Sequence, residues 1–250
     1  MRDFDDSTLW RVSTFERMRA ETGNSGFARF DSHSVLPTTL TAELTQLERQ
    51  HRSGEVLDVV AACVRHRESA LILLRHRALV WPLTVFPRSN LHHLPRPIIA
   101  SLEESNIDLQ VIDVEPPGLR PPGAAMHERI GEESSYRPLQ PLLWALAQHA
   151  PRTLLIEDIA GRAAYRVAAD FTPEFSAMAG AVGATLRRLR SEVASLHDIA
   201  AWPGMDLERA TRLLNGVYLQ GGLMVLRSHH AARDVAGPLS RLRGWLRPPR

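Results

Sequence analysis

Polar and apolar positions in this chain fall into short stretches whose period changes several times. Val56, Leu57, Val59, Val60, Cys63 and Val64 recur at helical spacing and predict a helix over 55–67 with one core-facing side. A helix over 38–52 precedes it, separated by Ser53-Gly54. The stretch ALILLRHRALVWPLTVFP is aliphatic on either side of the polar break His76-Arg77, which predicts two antiparallel strands with a tight connection. Pro82 has no backbone donor and puts the second strand at a sheet edge. Further along, a helix over 95–105 and a strand IDLQVIDV are expected, with Ile107, Leu109 and Val111 on one face and Ile112 and Val114 on the other. A short helix around 8–20 and a longer one over 173–195 complete the pattern, Pro173 suiting a first helical turn.

Two features bear on domain organisation. Residues 115–138 contain two Pro-Pro-Gly units and a charged tail, which reads as an interdomain or inter-repeat linker, or as a long surface loop within one domain. LLWALAQHAPRTLLI at 142–156 aligns without a gap with VVAACVRHRESALIL at 59–73, His149 falling on His66 and Leu154 on Leu71. The second copy runs on into IEDIAGRAAYRVAADF, a second hairpin with Ala160-Gly161 as its turn. A duplicated α-β-β unit accounts for this, and so does a chance likeness between two helix-then-strand segments. The expected layout is an N-terminal α+β unit over 1–114, the linker, a second unit with its long helix over 139–195, a C-terminal module over 196–235 and a basic tail over 236–250.

The C-terminal module draws the most agreement between independent signals. SLHDIAAW is a short apolar helix, and Pro203-Gly204 turns the chain. Asp206 is placed to cap a helix beginning at Leu207. Leu207, Ala210, Leu213, Leu214 and Val217 then form an apolar stripe, with Glu208, Arg209, Arg212 and Asn215 off it. Gly221-Gly222 stops the helix, and LMVLR forms a strand. Residues 195–228 resemble a bacterial winged helix-turn-helix. The resemblance implies Arg209, Arg212 and Asn215 as groove readers, since Arg pairs with guanine and Asn with adenine, and Arg227 and Arg233 as phosphate contacts. Winged helices also serve as protein-interaction modules. The order of apolar helix, hairpin and C-terminal winged helix is similar to that of bacterial regulatory proteins of the PATAN type, which implies work in surface motility, pili or two-component signalling by protein contact.

Charge sharpens the picture of the C-terminal third. Residues 182–250 hold eleven Arg against five Asp or Glu, whereas the whole chain carries a formal charge of only +2. A basic end suits an anionic partner. The chain has no lysine and is rich in Ala, Arg, Leu and Pro, as GC-rich bacterial genomes encode, so arginine also stands wherever lysine would.

Candidate chemistry is sparse. The chain has no G-x-x-x-x-G-K-S/T, G-x-S-x-G, H-E-x-x-H or C-x-x-C motif. The single Cys63 sits in an apolar helix and reads as a small hydrophobe. His92-His93 and His229-His230 are adjacent pairs whose side chains diverge, a poor start for a metal site. Asp113 with Glu115, and Glu157 with Asp158, read as solvated turn carboxylates. Neither catalytic residues, nor a cofactor, nor a metal is expected. The N-terminus lacks the basic-then-apolar order of a signal peptide, and no apolar stretch approaches the ~20 residues of a membrane span. These readings converge on an α+β cytoplasmic bacterial protein with a helix-and-hairpin body and a winged-helix-like end. Its expected role is a non-enzymatic regulatory adaptor acting through protein contacts, compatible with a homodimer. The alternative is a DNA-binding regulator using its basic third.

Overall fold

The computed structural model describes residues 9–22, 35–95, 109–125, 130–149, 154–172 and 180–232. The architecture is α+β, helices with two antiparallel sheets, and the chain divides into a unit of residues 1–152 and a unit of residues 153–250.

In the first unit, β1 (Trp10–Arg11) runs into α1 (Val12–Thr22). Then come α2 (Thr38–Arg49), α3 (Val56–His66), β2 (Ala70–His76), β3 (Leu79–Phe86), β4 (Leu91–His93), β5 (Leu109–Glu115), β6 (Tyr136–Pro138) and α4 (Leu139–His149). The sheet has the order β5-β2-β3-β4-β6, with β1 also on β3. The predicted hairpin is β2–β3, paired from Ala70↔Val85 to His76↔Leu79, and its turn is Arg77-Ala78, with Arg77 at φ 55°. The break lies one residue later than the polar pair suggests, because His76 still finds a cross-strand partner.

Pro82 is not on an edge strand. β3 has β2 on one flank and, on the other, first β1 (Trp10↔Val80) and then β4 (Thr84↔His93). Val12 N–H donates to Ala78 C=O at 2.9 Å, so the alternate residues 78, 80 and 82 turn their backbone groups toward this second flank. Among the described residues none pairs with Pro82 on this flank, so its missing donor breaks no ladder bond to them.

One face of the sheet carries Phe15 of α1 against Leu71, Leu73 and Val80, with Trp10, Val12, Met18 and Ile112 around them. Ile72, Leu74, Leu83 and Val85, which alternate with these, are equally buried and face the other way. α3 contacts β5, α4 contacts β4, and the two helices contact each other, which makes them the second layer. Every residue from Val56 to Cys63 is buried, including Asp58, whose carboxylate accepts from Arg52 Nε and Nη2 at 3.0 and 2.7 Å. Arg67, left-handed at φ 55°, closes α3 by aiming its own amide and that of Glu68 at the carbonyls of Val64 and Cys63.

The segment 115–138 lies inside the first unit rather than between units. Tyr136 holds it: the phenol donates to Arg120 C=O at 2.7 Å and accepts from Gly131 N–H at 2.9 Å. Arg120 and Ile130 form an isolated parallel bridge, and β6 pairs with β4. A stretch rich in Pro and Gly thus serves as a surface loop, because its end is a sheet strand.

The second unit contains β7 (Ala164–Val167), α5 (Gly180–Leu189), β8 (Ala194–Ser195), α6 (Leu196–Ala200), α7 (Leu207–Leu219) and β9 (Leu223–Leu226). Its sheet has the order β8-β7-β9. The duplicated α-β-β unit is not formed. α4 belongs to the first unit and β7 to the second, residues 154–156 are not a strand, and 157–159 make a 3-10 turn instead of a hairpin arm. The matched residues also differ in burial: Leu71 is in the core, whereas Leu154 is exposed. Shared apolar spacing reflected a helix ending at a histidine, and nothing beyond it. Residues 96–105 of one expected helix, 173–179 of that over 173–195 and the tail over 236–250 lie outside the described residues, and the described part of the second helix stops at Leu189, before the strand Ala194–Ser195.

Candidate interaction surface of the C-terminal unit

Local sequence chemistry fixes α6 and α7. Ser195 and Asp198 form a capping box: Asp198 N–H donates to Ser195 Oγ at 3.2 Å and Ser195 N–H to Asp198 Oδ2 at 3.0 Å. Asp206 caps α7 by accepting from Arg209 N–H at 2.7 Å. Between the helices, Gly204 adopts φ 75°, and a Cβ there would lie 2.7 Å from the Ala181 Cβ, so both conformation and space require glycine. Gly221, also at φ 75°, and Gly222 end α7 by donating to the carbonyls of Tyr218 and Val217 at 2.8 and 2.9 Å. Phe171 covers Gly222 so closely that a Cβ would fall 2.3 Å from its ring.

The buried side of α7 is Ala210, Leu213, Leu214 and Val217, all at 0% exposure. Leu207 departs from the expected stripe. It is 58% exposed, because the first helical position precedes the turn that meets the core.

Of the five residues expected to touch nucleic acid, the four that are described do not share one exposed surface. Asn215 is fully buried. Its Oδ1 accepts from Ile156 N–H at 3.0 Å and its Nδ2 donates to Leu154 C=O at 3.1 Å. An eight-residue step from Leu207 carries it round to the inner face, where it satisfies backbone that no strand pairs. Arg212 has a side chain only 16% exposed and donates from Nε and Nη2 to Glu208 Oε1 at 3.0 and 2.8 Å. Arg209 remains outward at 60% side-chain exposure, folded back on Gly204 C=O at 2.8 Å with Asp206 3.6 Å away. Arg227 forks onto the carbonyls of Asp158 and Ala160 at 2.7 and 3.0 Å. Arg233 lies outside the described residues.

Sequence reasoning missed the turn at 157–160 as a focus of the unit. Besides Arg227, Tyr218 Oη donates to Asp158 Oδ2 at 3.1 Å and Tyr165 Oη to Ile159 C=O at 2.6 Å. Burial pushes the Tyr165 phenol up to about 12, so it stays a donor. On the outer side of α5, Arg188 stacks on Trp202 at 4.1 Å and pairs with Glu192 at 2.5 Å, while Arg187 and Arg190 are exposed. Arg166 and Arg190 donate to the carbonyls of Arg190 and Phe171.

The other candidates are placed as follows. Burial, reinforced by Glu43, pushes the Cys63 thiol up to about 12, far from a nucleophile. His92 Nδ1 donates to Pro138 C=O at 3.0 Å, and burial lowers the ring to about 4. His93, also lowered by burial, lies edge-on to Tyr136 at 4.9 Å. The His229 and His230 rings stack at 4.1 Å, and Asp113 pairs with Arg19 at 2.5 Å. Among the described residues no three His, Cys, Asp or Glu side chains converge as metal ligands, and no helix is long and apolar enough to cross a membrane.

No protein-family model matches the chain, and neither a characterised protein nor a solved structure matches it.

Proposed function

We propose that the chain is a non-enzymatic regulatory adaptor of the bacterial cytoplasm, acting through protein–protein contacts made by its C-terminal unit. One observation carries this reading: the polar groups of α7 are spent on the protein itself. Asn215 is buried with both ends of its amide occupied, and Arg212 is committed to Glu208. A helix with so little free donor capacity is ill suited to read base edges, which requires unengaged bidentate groups. Leu207 and Met224, at 58% and 48% exposure, add apolar surface of the kind protein contacts bury.

The test compares two ligands. Duplex DNA titrated at low salt should show no affinity that Arg209→Ala with Arg212→Ala removes. A partner captured from a bacterial host, then purified and titrated alone, should lose at least tenfold on Leu207→Asp and keep its affinity in the double arginine variant. Tight duplex binding that disappears with the arginines would replace this reading with the second one, a DNA-binding regulator. That alternative is favoured by the exposed cations Arg187, Arg190 and Arg209 in the basic C-terminal third.

A further inference from the structure

An open strand edge invites another strand, and native chains blunt such edges with charge, proline, covering loops or brevity. Most edges here are treated so. β5 is met on its outer flank by Gly54, whose carbonyl accepts from Val111 N–H at 3.0 Å, and by the Glu55↔Gln110 bridge. β6 is three residues long, carries Arg137 and ends at Pro138, and β8 has two residues. β9 is different. It is the outer strand of β8-β7-β9, no described residue pairs with its far side, and its sequence Leu-Met-Val-Leu holds no charge and no proline.

The direction of its free groups follows from the ladder. Ala168 N–H donates to Gly222 C=O at 2.9 Å, and the register continues as Arg166↔Met224 and Ala164↔Leu226. Alternation in an antiparallel pair turns the backbone groups of Met224 and Leu226 toward β7 and those of Leu223 and Val225 outward. Two outward positions separated by one residue are self-complementary. A second β9 running antiparallel, with its two-fold axis at Met224, matches Leu223 with Val225 twice over. Met224, exposed at the axis, then meets its own copy in a non-hydrogen-bonded pair with Cα atoms about 4.5 Å apart. A closed two-fold contact of this kind needs one patch serving as both surfaces, which β9 supplies.

We infer that β9 pairs with β9 of a second copy of this chain, joining the two three-stranded sheets into one of six strands. The inference does not depend on the adaptor reading.

The full chain with Met224→Cys tests it, oxidised mildly and run on a non-reducing gel, alongside Leu226→Cys. Cysteines at the axis fall within disulfide reach, whereas those at 226 stand about 14 Å apart along the strands. Native Cys63 is buried and gives no background. The expected result is a disulfide dimer from Met224→Cys and none from Leu226→Cys. Sedimentation of the wild type over a concentration series should show a dimer weakened at least tenfold by Val225→Pro, which removes an outward donor and leaves the β7 ladder intact. If Val225→Pro loses its circular dichroism spectrum, Met224→Lys gives the same reading by opposing two cations at the axis. Equal trapping at 224 and 226, a monomer throughout the series, or a dimer indifferent to these substitutions overturns the inference.

Discussion

Asn215 and Ile156 are joined by a buried hydrogen bond of 3.0 Å, and the same amide reaches Leu154 C=O at 3.1 Å. One side chain on α7 thereby takes the place of a neighbouring strand for a stretch of chain that has none. Asn215→Ala should cost about 1–3 kcal/mol, since the buried Ile156 N–H and the part-buried Leu154 C=O lose this partner. Asn215→Asp should cost more, because it sets a carboxylate against a carbonyl. Urea unfolding of both variants measures this, and a cost under half a kcal/mol would contradict the geometry.

Gly204 is fixed twice, by its φ of 75° and by Ala181. Gly204→Ala should destabilise by roughly 2–4 kcal/mol, combining left-handed strain with overpacking. Ala181→Gly should recover the overpacking share and leave the strain. Thermal unfolding of the single and double variants separates the two.

The pH dependence of stability should carry the signature of His92. Its ring takes a proton near 6.5 in the unfolded chain and near 4 when folded. Between those values the unfolded state binds more protons, so stability is intact above about pH 6.5 and declines as pH falls toward 4, by up to about 3 kcal/mol. His93, lowered for the same reason, adds to the loss as pH falls below the unfolded value. His92→Gln should flatten the profile, which denaturant midpoints at pH 7 and pH 4.5 will record.

Tyr136→Phe removes both bonds that close the loop at Arg120 and Gly131. Cleavage between 116 and 131 under limited proteolysis should accelerate several-fold, with global stability lowered by only about 1 kcal/mol. Unchanged cleavage would mean that the Arg120↔Ile130 bridge holds the loop unaided.

Cys63 should stay silent toward a thiol reagent in the native protein and react once urea unfolds it. Burial and Glu43 both oppose the thiolate. Rapid native labelling would refute its placement in the core.

Legibility in the sequence followed the range of the interactions involved. The α2–α3 pair, the β2–β3 hairpin and the Asp206 cap rest on neighbours within a few residues, and they lie close to their expected bounds. Asn215 could not be placed by local spacing, because its partners are about 60 residues away along the chain. The same holds for Pro82, which lies in an inner strand because β1 and β4 both pair with β3 on the flank away from β2. The 59–73 and 142–156 likeness misled for a related reason: apolar spacing specifies an element and leaves its neighbour in space undetermined. For the candidate surface, charge count was the weakest guide, since it cannot tell a cation facing solvent from one holding a loop.

Arg227 makes that last distinction concrete. Its guanidinium spans two carbonyls of one turn, as Arg88, Arg166, Arg190 and Arg209 each clasp a carbonyl elsewhere. In a chain without lysine, the flat five-donor head has become a mortar between loops. Exchanging these arginines for lysines would leave the charge at neutral pH untouched and yet unfasten the joints, since a single ammonium at the end of a flexible stem cannot reproduce the fork at Asp158 and Ala160.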